Sequence, residues 1–357
     1  SGFKSLNTAN LPASTILNGS NYFGITTRMG TGSAGGTVTG LNFTPDLIWE
    51  KPRNVGPSNH YLFDVIRGLN TGPGLKSNAT DAESSVGSWI TGPTSTGYTV
   101  NSNDYGTTVS VVGWCWDAGT STVTNTQGSI TSTVRANTSA GFSIVTYTGN
   151  GTSGATVGHG LGVTPSMIII KSRSLSVEGW NTYHASLTAG NALQLNSTQA
   201  QFTGSPQMYP TAPGSSVFTL GTNSGTNSNG ATYVAYCFSP VSGYSSFGSF
   251  SGGANPNFIY LGFRPRYVMI KRTDTTNYWI IQDAARNSYN QVDLKLAANA
   301  SVAENDVSTL GDTTQNQLDF VSNGFVCRST NAGTNASGGT YIYCAWAENP
   351  VSIARAR

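Results

Sequence analysis

PDLIWEK (45–51), PSMIIIK (165–171) and PRYVMIK (265–271) write one phrase three times: a Pro, two residues of no fixed type, a short apolar run and a Lys. Pro suits the first residue of a strand, where its missing N–H costs the ladder nothing. The run that follows is about five residues, a usual strand length and too short for a helix. It is apolar at consecutive positions, so it reads as a central strand covered on both faces. Three buried strands in three equivalent units are the expectation.

The phrase belongs to a longer unit whose end also recurs, as GTTVSVVGWCWDAG from Gly106, GATYVAYCFSPVSG from Gly230 and GGTYIYCAWAENP from Gly338. Offsets of about 120 and about 100 residues exceed any solenoid period and suit whole domains. The boundaries are 23–120, 140–242 and 243–351, with 1–22 as an N-terminal tether and 352–357 as a tail. Residues 121–139, rich in Thr and Ser, read as a linker or an extra edge strand.

Inside each unit an aromatic strand follows the phrase: HYLFDVIRG, WNTYHASLT or YWIIQDAARN. A variable polar stretch and an Asn/Gly turn then lead into the last strand. There Val112, Trp114 and Trp116 alternate with small residues such as Gly113, as do Val234, Tyr236 and Phe238 around Ala235, and Ile342, Cys344 and Trp346 around Ala345. A period of two places the bulky face inward. The fold class is therefore all-β: three tandem antiparallel β-sandwich domains, jelly-roll-like and of common origin. A short helix is expected within 283–301, and the regions that differ between copies, 68–97, 188–216 and 287–318, are expected to be surface loops.

Charged residues are only 10% of the chain, 18 basic against 16 acidic, well below the usual quarter. No Lys/Arg cluster suggests a phosphate-tracking surface, which argues against nucleic acid. No apolar run approaches the width of a bilayer, so membrane insertion is not expected. The four cysteines, Cys115, Cys237, Cys327 and Cys344, form no CxxC pair and read as buried thiols. Cys327 and Cys344 fall on the two arms of an expected hairpin, out of register for a bridge.

Chemistry is sparse. His60, His159 and His184 fall in no metal-ligand spacing, and no nucleophile elbow, P-loop or dinucleotide fingerprint is present. No catalytic residue, cofactor or metal is expected. Glycan cleavage needs paired carboxylates, yet only Asp64 and Asp283 recur, each three residues before an Arg, Arg67 or Arg286. The middle copy reads Ala185 and Thr188 in those places, so the pairs are taken as structural ion pairs at strand ends. Lys51, Lys171 and Lys271 read as strand ends at the solvent edge. Trp89, Tyr209 and Tyr289 lie in the variable stretches and are the candidate receptor contacts, since aromatic faces stack on sugar rings.

The run from GYSSFGSFSGG through FIYLGFRPRYVMIKRTDTTNYWIIQDAARNSYNQVDLKLAANAS to NASGGTYIYCAWAENP resembles a domain of virion proteins of tailed bacteriophages, especially phages of cyanobacteria and other marine bacteria. VTPSMIIIKSRSLSVEGWNTYHASL is similar to its usual preceding partner, and GLNFTPDLIWEKPRN with HYLFDVIRG and WCWDAG resembles a further member. The resemblance covers about 20 to 351. It implies a virion surface protein, most readily a tail fibre or spike component that binds a host cell-surface glycan or protein receptor alongside other virion proteins. A capsid decoration or head fibre protein is the structural alternative, and a glycan depolymerase the enzymatic one. By analogy with phage fibres, a homotrimer is expected. Glu50 departs from the family pattern, which usually has another side chain before the Lys, and leaves the burial of that strand end open.

Overall fold

Each phrase folds as a strand, at Leu47–Pro52, Met167–Ser172 and Pro265–Arg272, with every residue of the first two buried. The structure, a computed structural model, describes residues 16–32, 35–69, 73–85, 89–101, 105–204, 209–253, 255–310 and 318–348. It is all-β and antiparallel, each repeat carrying one large and one small sheet. The order in repeat 1 is Phe23–Met29, Ser110–Trp116, Leu47–Pro52, Tyr61–Asp64, Pro73–Lys76 and Ser84–Ser85. Repeat 3 runs Ser245–Ser251, Thr340–Ala347, Pro265–Arg272, Trp279–Asp283 and Leu296–Ala297 in the same sense. Repeat 2 repeats the order and adds two strands, Thr122–Asn125 and Ser132–Asn137, at the edge beside Phe142–Thr148. Residues 121–139 therefore extend a sheet and do not merely link.

The registers coincide. Ile48 pairs with Cys115, Ile168 with Cys237 and Val268 with Ala345, and Trp49, Ile169 and Met269 pair with Trp114, Tyr236 and Cys344. Small sheets built on Gly36–Thr39 with Gly97–Val100, Ala155–Gly158 with Val217–Leu220, and Asn257–Tyr260 with Gly324–Cys327 cover one face of each large sheet. The cores between large and small sheet take the less bulky face: Ile48 and Cys115 in repeat 1, Ile168, Ala235 and Cys237 in repeat 2, Val268 and Ala345 in repeat 3.

The bulky face points elsewhere, contrary to expectation. Trp114, Trp116, Tyr236, Phe238, Cys344 and Trp346 join Trp49, Ile169 and Met269 in one cluster shared by all three repeats. The three large sheets thus turn their backs on their own small sheets and meet in a common centre. In repeat 1 volume explains the choice: a Cβ at Gly113 would lie 2.7 Å from the Tyr98 hydroxyl, so that side has no room for bulk at this position, whereas rings interlock at the centre, Trp116 lying 5.5 Å from Trp346.

The accessible surface is 13402 Å² for a 37.3 kDa chain, close to the about 13,700 Å² expected of one globule and well below the about 18,000 Å² of three separate thirds.

Three further expectations are corrected. Ile16 is buried in the central cluster, so the segment from residue 16 packs into the body; the rest of the expected tether, and the 352–357 tail, lie outside the described residues. No helix forms in 283–301, where turns and the short strand Leu296–Ala297 are found; among the described residues the short helices are the 3₁₀ turn Gly19–Asn21 and the α-turns Ser224–Asn227 and Val307–Leu310. Cys327 and Cys344 are not arms of one hairpin, because Gly324–Cys327 belongs to a small sheet and Thr340–Ala347 to a large one. All four cysteines are free and buried.

Val177 carries φ 69° while 81% exposed. A β-branched residue there strains the backbone by about 1–2 kcal/mol, and nothing packs on it in return. Val177→Gly is expected to raise stability by up to about 1 kcal/mol after the extra chain entropy of Gly, read from a denaturant midpoint.

Candidate functional site

The recurring charged residues fall in the seams between repeats. Lys51, Lys171 and Lys271 are completely buried, which overturns their reading as a solvent edge. They continue the central face after Leu47 and Trp49, Met167 and Ile169, and Tyr267 and Met269. Lys171 Nζ donates to the Thr80 carbonyl of repeat 1 at 3.1 Å, and Lys271 Nζ to the Thr198 carbonyl of repeat 2 at 3.0 Å. Lys51 Nζ donates to its neighbour Pro52 at 2.8 Å. Loss of water pushes Lys51 and Lys171 down to about 8 and Lys271 to about 7. The amines satisfy backbone carbonyls that cross the rim of the centre, which otherwise would be buried unpaired.

Those carbonyls belong to clasps. The Glu83 amide donates to the Arg173 carbonyl at 2.7 Å, the Gln201 amide to Thr273 at 2.9 Å and the Glu304 amide to Arg53 at 2.6 Å. Trp180 Nε1 donates to the Lys76 carbonyl and Trp279 Nε1 to the Gln194 carbonyl, at 2.8 and 3.0 Å. His60 holds the matching place in repeat 1, near Ala297 of repeat 3, but its Nε2 makes no hydrogen bond there. Residues 76–83 clasp repeat 2, 194–201 clasp repeat 3, and 297–304 return to repeat 1, closing a ring. These parts of the variable regions are joints, not displayed loops.

The ion pairs sit in the same seams. Arg67 Nε meets Asp64 at 2.5 Å and Arg286 Nε meets Asp283 at 2.6 Å, all four side chains buried. Each pair reaches a neighbour: Tyr236 Oη of repeat 2 donates to Asp64 at 2.8 Å, and Trp114 Nε1 of repeat 1 to Asp283 at 3.0 Å. Glu83 bridges Arg67 and Arg173, and Glu304 bridges Arg286 and Arg53. In the middle copy the register places His184 and Leu187, not Ala185 and Thr188, at the Asp and Arg positions: Met167 pairs with His184 as Leu47 does with Asp64 and Tyr267 with Asp283. His184 Nε2 donates to the Tyr343 carbonyl of repeat 3 at 3.2 Å. One seam of three is therefore neutral.

Glu50 is also fully buried, but on the other face, inside repeat 1, where Arg28 Nη2 at 2.8 Å and Tyr98 Oη at 2.7 Å donate to it. The strand end is not shallower there; a charge pair replaces the Ile of the other copies.

Both seam histidines are held neutral. His60 Nδ1 accepts from Trp49 Nε1 at 3.0 Å, and burial with the charges of Lys51 and Arg286 keeps the ring well below the usual 6.5. His184 Nδ1 accepts from the Ser186 amide at 3.1 Å, and burial pushes its pKa down to about 4. A lowered folded pKa means the unfolded chain binds more protons, so the stability is whole above about 6.5 and is lost as pH falls toward 4. For His184 alone that loss is about 2–3 kcal/mol. Asp46, raised to about 7 by burial, works in the opposite sense. Comparing the chain with His184→Gln isolates the term: the variant's stability is expected to fall less steeply between pH 6.5 and 4 in denaturant titrations.

The candidate receptor contacts separate. Tyr289 is 84% exposed. Tyr209 is 4% exposed and its hydroxyl donates to the Asn181 carbonyl at 3.0 Å, so it is core, not a displayed ring. Trp89 is half-buried, 4.6 Å from Tyr61 and 5.7 Å from Phe63, capping the core of repeat 1. Two exposed aromatics were missed, Phe258 and Tyr260, on the outward face of Asn257–Tyr260; the alternation in NFIY was the available signal. Among the described residues no group of three or more His, Cys, Asp or Glu could hold a metal ion, and no helix is long and apolar enough to cross a membrane.

The family described as "Domain of unknown function (DUF7483)" matches residues 18–350, from just before the first strand through the last. No curated protein matches the sequence.

Proposed function

The chain belongs to the DUF7483 family, whose description assigns no role, and we propose that it is a structural protein of a tailed-bacteriophage virion. In this reading it is a tail fibre or spike component that offers its outer turns to the host surface. The observation that carries the reading is where the charge goes. Arg53, Arg67, Glu83, Arg173, Arg286 and Glu304 pair in the seams, and the three phrase lysines are buried. What remains outside is largely neutral Ser, Thr and Asn with isolated exposed rings, Tyr289, Tyr260 and Phe258. A closed β framework with neutral polar turns is suited to contact that does not depend on long-range charge.

The test is adsorption. The fluorescently labelled chain is expected to bind the bacterium on which a virus encoding it grows, and excess unlabelled chain is expected to slow infection. Absence of binding, together with a gold label that decorates the head instead of the tail, would overturn the reading in favour of a shell-decorating role.

A further inference from the structure

We propose that repeat 2 holds a binding cleft for an uncharged sugar unit, between the turn at 188–191 and the segment 209–212. The cleft encloses about 440 Å³, inside the range of roughly 300–1,000 Å³ typical of small-molecule sites. The half-buried Tyr183 forms one wall, with the buried Tyr209 ring 5.8 Å away as its backing. The Tyr209 ring is fixed by its hydrogen bond to Asn181, so the wall is set before a ligand arrives. Thr188 and Asn191 of the turn and Thr211 of the 209–212 segment complete the lining.

Three properties select the ligand class. No Asp, Glu, Lys or Arg lines the cleft, and its one imidazole, His184, is neutral with both ring nitrogens engaged; an anionic ligand would find no cation there. The Tyr183 hydroxyl and the side chains of Thr188, Asn191 and Thr211 make no hydrogen bond to the described residues and remain available. A purely apolar ligand would leave them unpaired, at about 1–3 kcal/mol for each one it buries. A pyranose presents C–H on one face and hydroxyls around its rim, which answers the tyrosine wall and the hydroxyl and amide side together. Sequence reasoning chose Tyr209 as a receptor contact; its part here is as a rigid backing.

The biological partner rests on the display reading above, as a neutral hexose or N-acetylhexosamine of a host-surface glycan; the chemistry of the cleft does not. The test uses the full chain with glucose, galactose, mannose and N-acetylglucosamine, and glucuronate as the charged comparison, by saturation-transfer NMR. At least one neutral sugar is expected to bind in preference to glucuronate. Tyr183→Ala is expected to weaken it at least tenfold, Thr211→Val, at an exposed turn where folding is not at stake, severalfold, and Val123→Ala, exposed on the far edge strand of the same sheet, not at all. Binding of none of the four, preference for glucuronate, or Thr211→Val binding like the parent would overturn the cleft. If cells are still adsorbed without sugar binding, the cleft is wrong and the display reading stands; sugar binding without adsorption means the reverse.

Discussion

Repeat 2 expressed alone, as residues 121–242, is expected not to hold a native fold, and the whole chain is expected to unfold in one transition. Alone, the repeat would present Phe142, Ile144, Met167, Ile169, Val234, Tyr236 and Phe238 to water, all of which the shared centre buries. Burying one such side chain contributes about 1.5–3 kcal/mol, and a domain's net stability is about 5–15 kcal/mol. Exposing seven therefore removes as much as the repeat has to give. It would also lose the Trp180 bond to Lys76 and the Lys171 bond to Thr80, leaving the amine only the Ser172 carbonyl of its own strand. Circular dichroism and dye binding on the isolated repeat, with denaturant unfolding of the full chain followed by fluorescence and far-ultraviolet signal together, check this. A repeat with a cooperative melt of its own, or separate transitions in the full chain, would show that the seams are contacts between finished domains.

That expectation departs from a reading of tandem domains, and the departure has a definite source. Pattern found the strands because Pro, run and Lys are local, and because two covered faces leave a continuous apolar stretch. Pattern could not say what covers each face. Ile48 and Trp49 look alike as hydrophobes, yet one lies under the small sheet and the other in the common centre. Side-chain volume held a clue in repeat 1 alone: Gly113 lies against Tyr98, which leaves no space at that position for a ring. The lysines were misread for the same reason. A strand that ends in Lys usually ends in water, and only a second repeat crossing the end makes the amine a buried donor. Of the cleft's lining only Tyr209 was singled out in the sequence, and as a displayed ring, whereas it is buried; the turn that joins Thr188 to Asn191 is local and carried no signal.

The middle copy also supplies a control for the last prediction. Its residues HASL (184–187) stand in register with DVIR (64–67) and DAAR (283–286), so the molecule contains both a charged and a neutral version of one joint. Arg286→Leu is expected to cost about 3–5 kcal/mol, because it strands a buried carboxylate. Asp283 would keep the Trp114 N–H and two backbone amides but lose its counter-charge, while Glu304 loses one of two guanidinium partners and Trp114 the cation 5.7 Å from its ring. Asp283→His combined with Arg286→Leu transplants the neutral joint. The double variant is expected to be more stable than the single one by about 1–2 kcal/mol, short of the parent because Trp114 Nε1 then lacks its acceptor. Denaturant midpoints of parent, single and double variants decide it. A single variant within about 1 kcal/mol of the parent would mean that Asp283 is neutralised in some other way, and that charge does not hold repeat 3 against repeat 1.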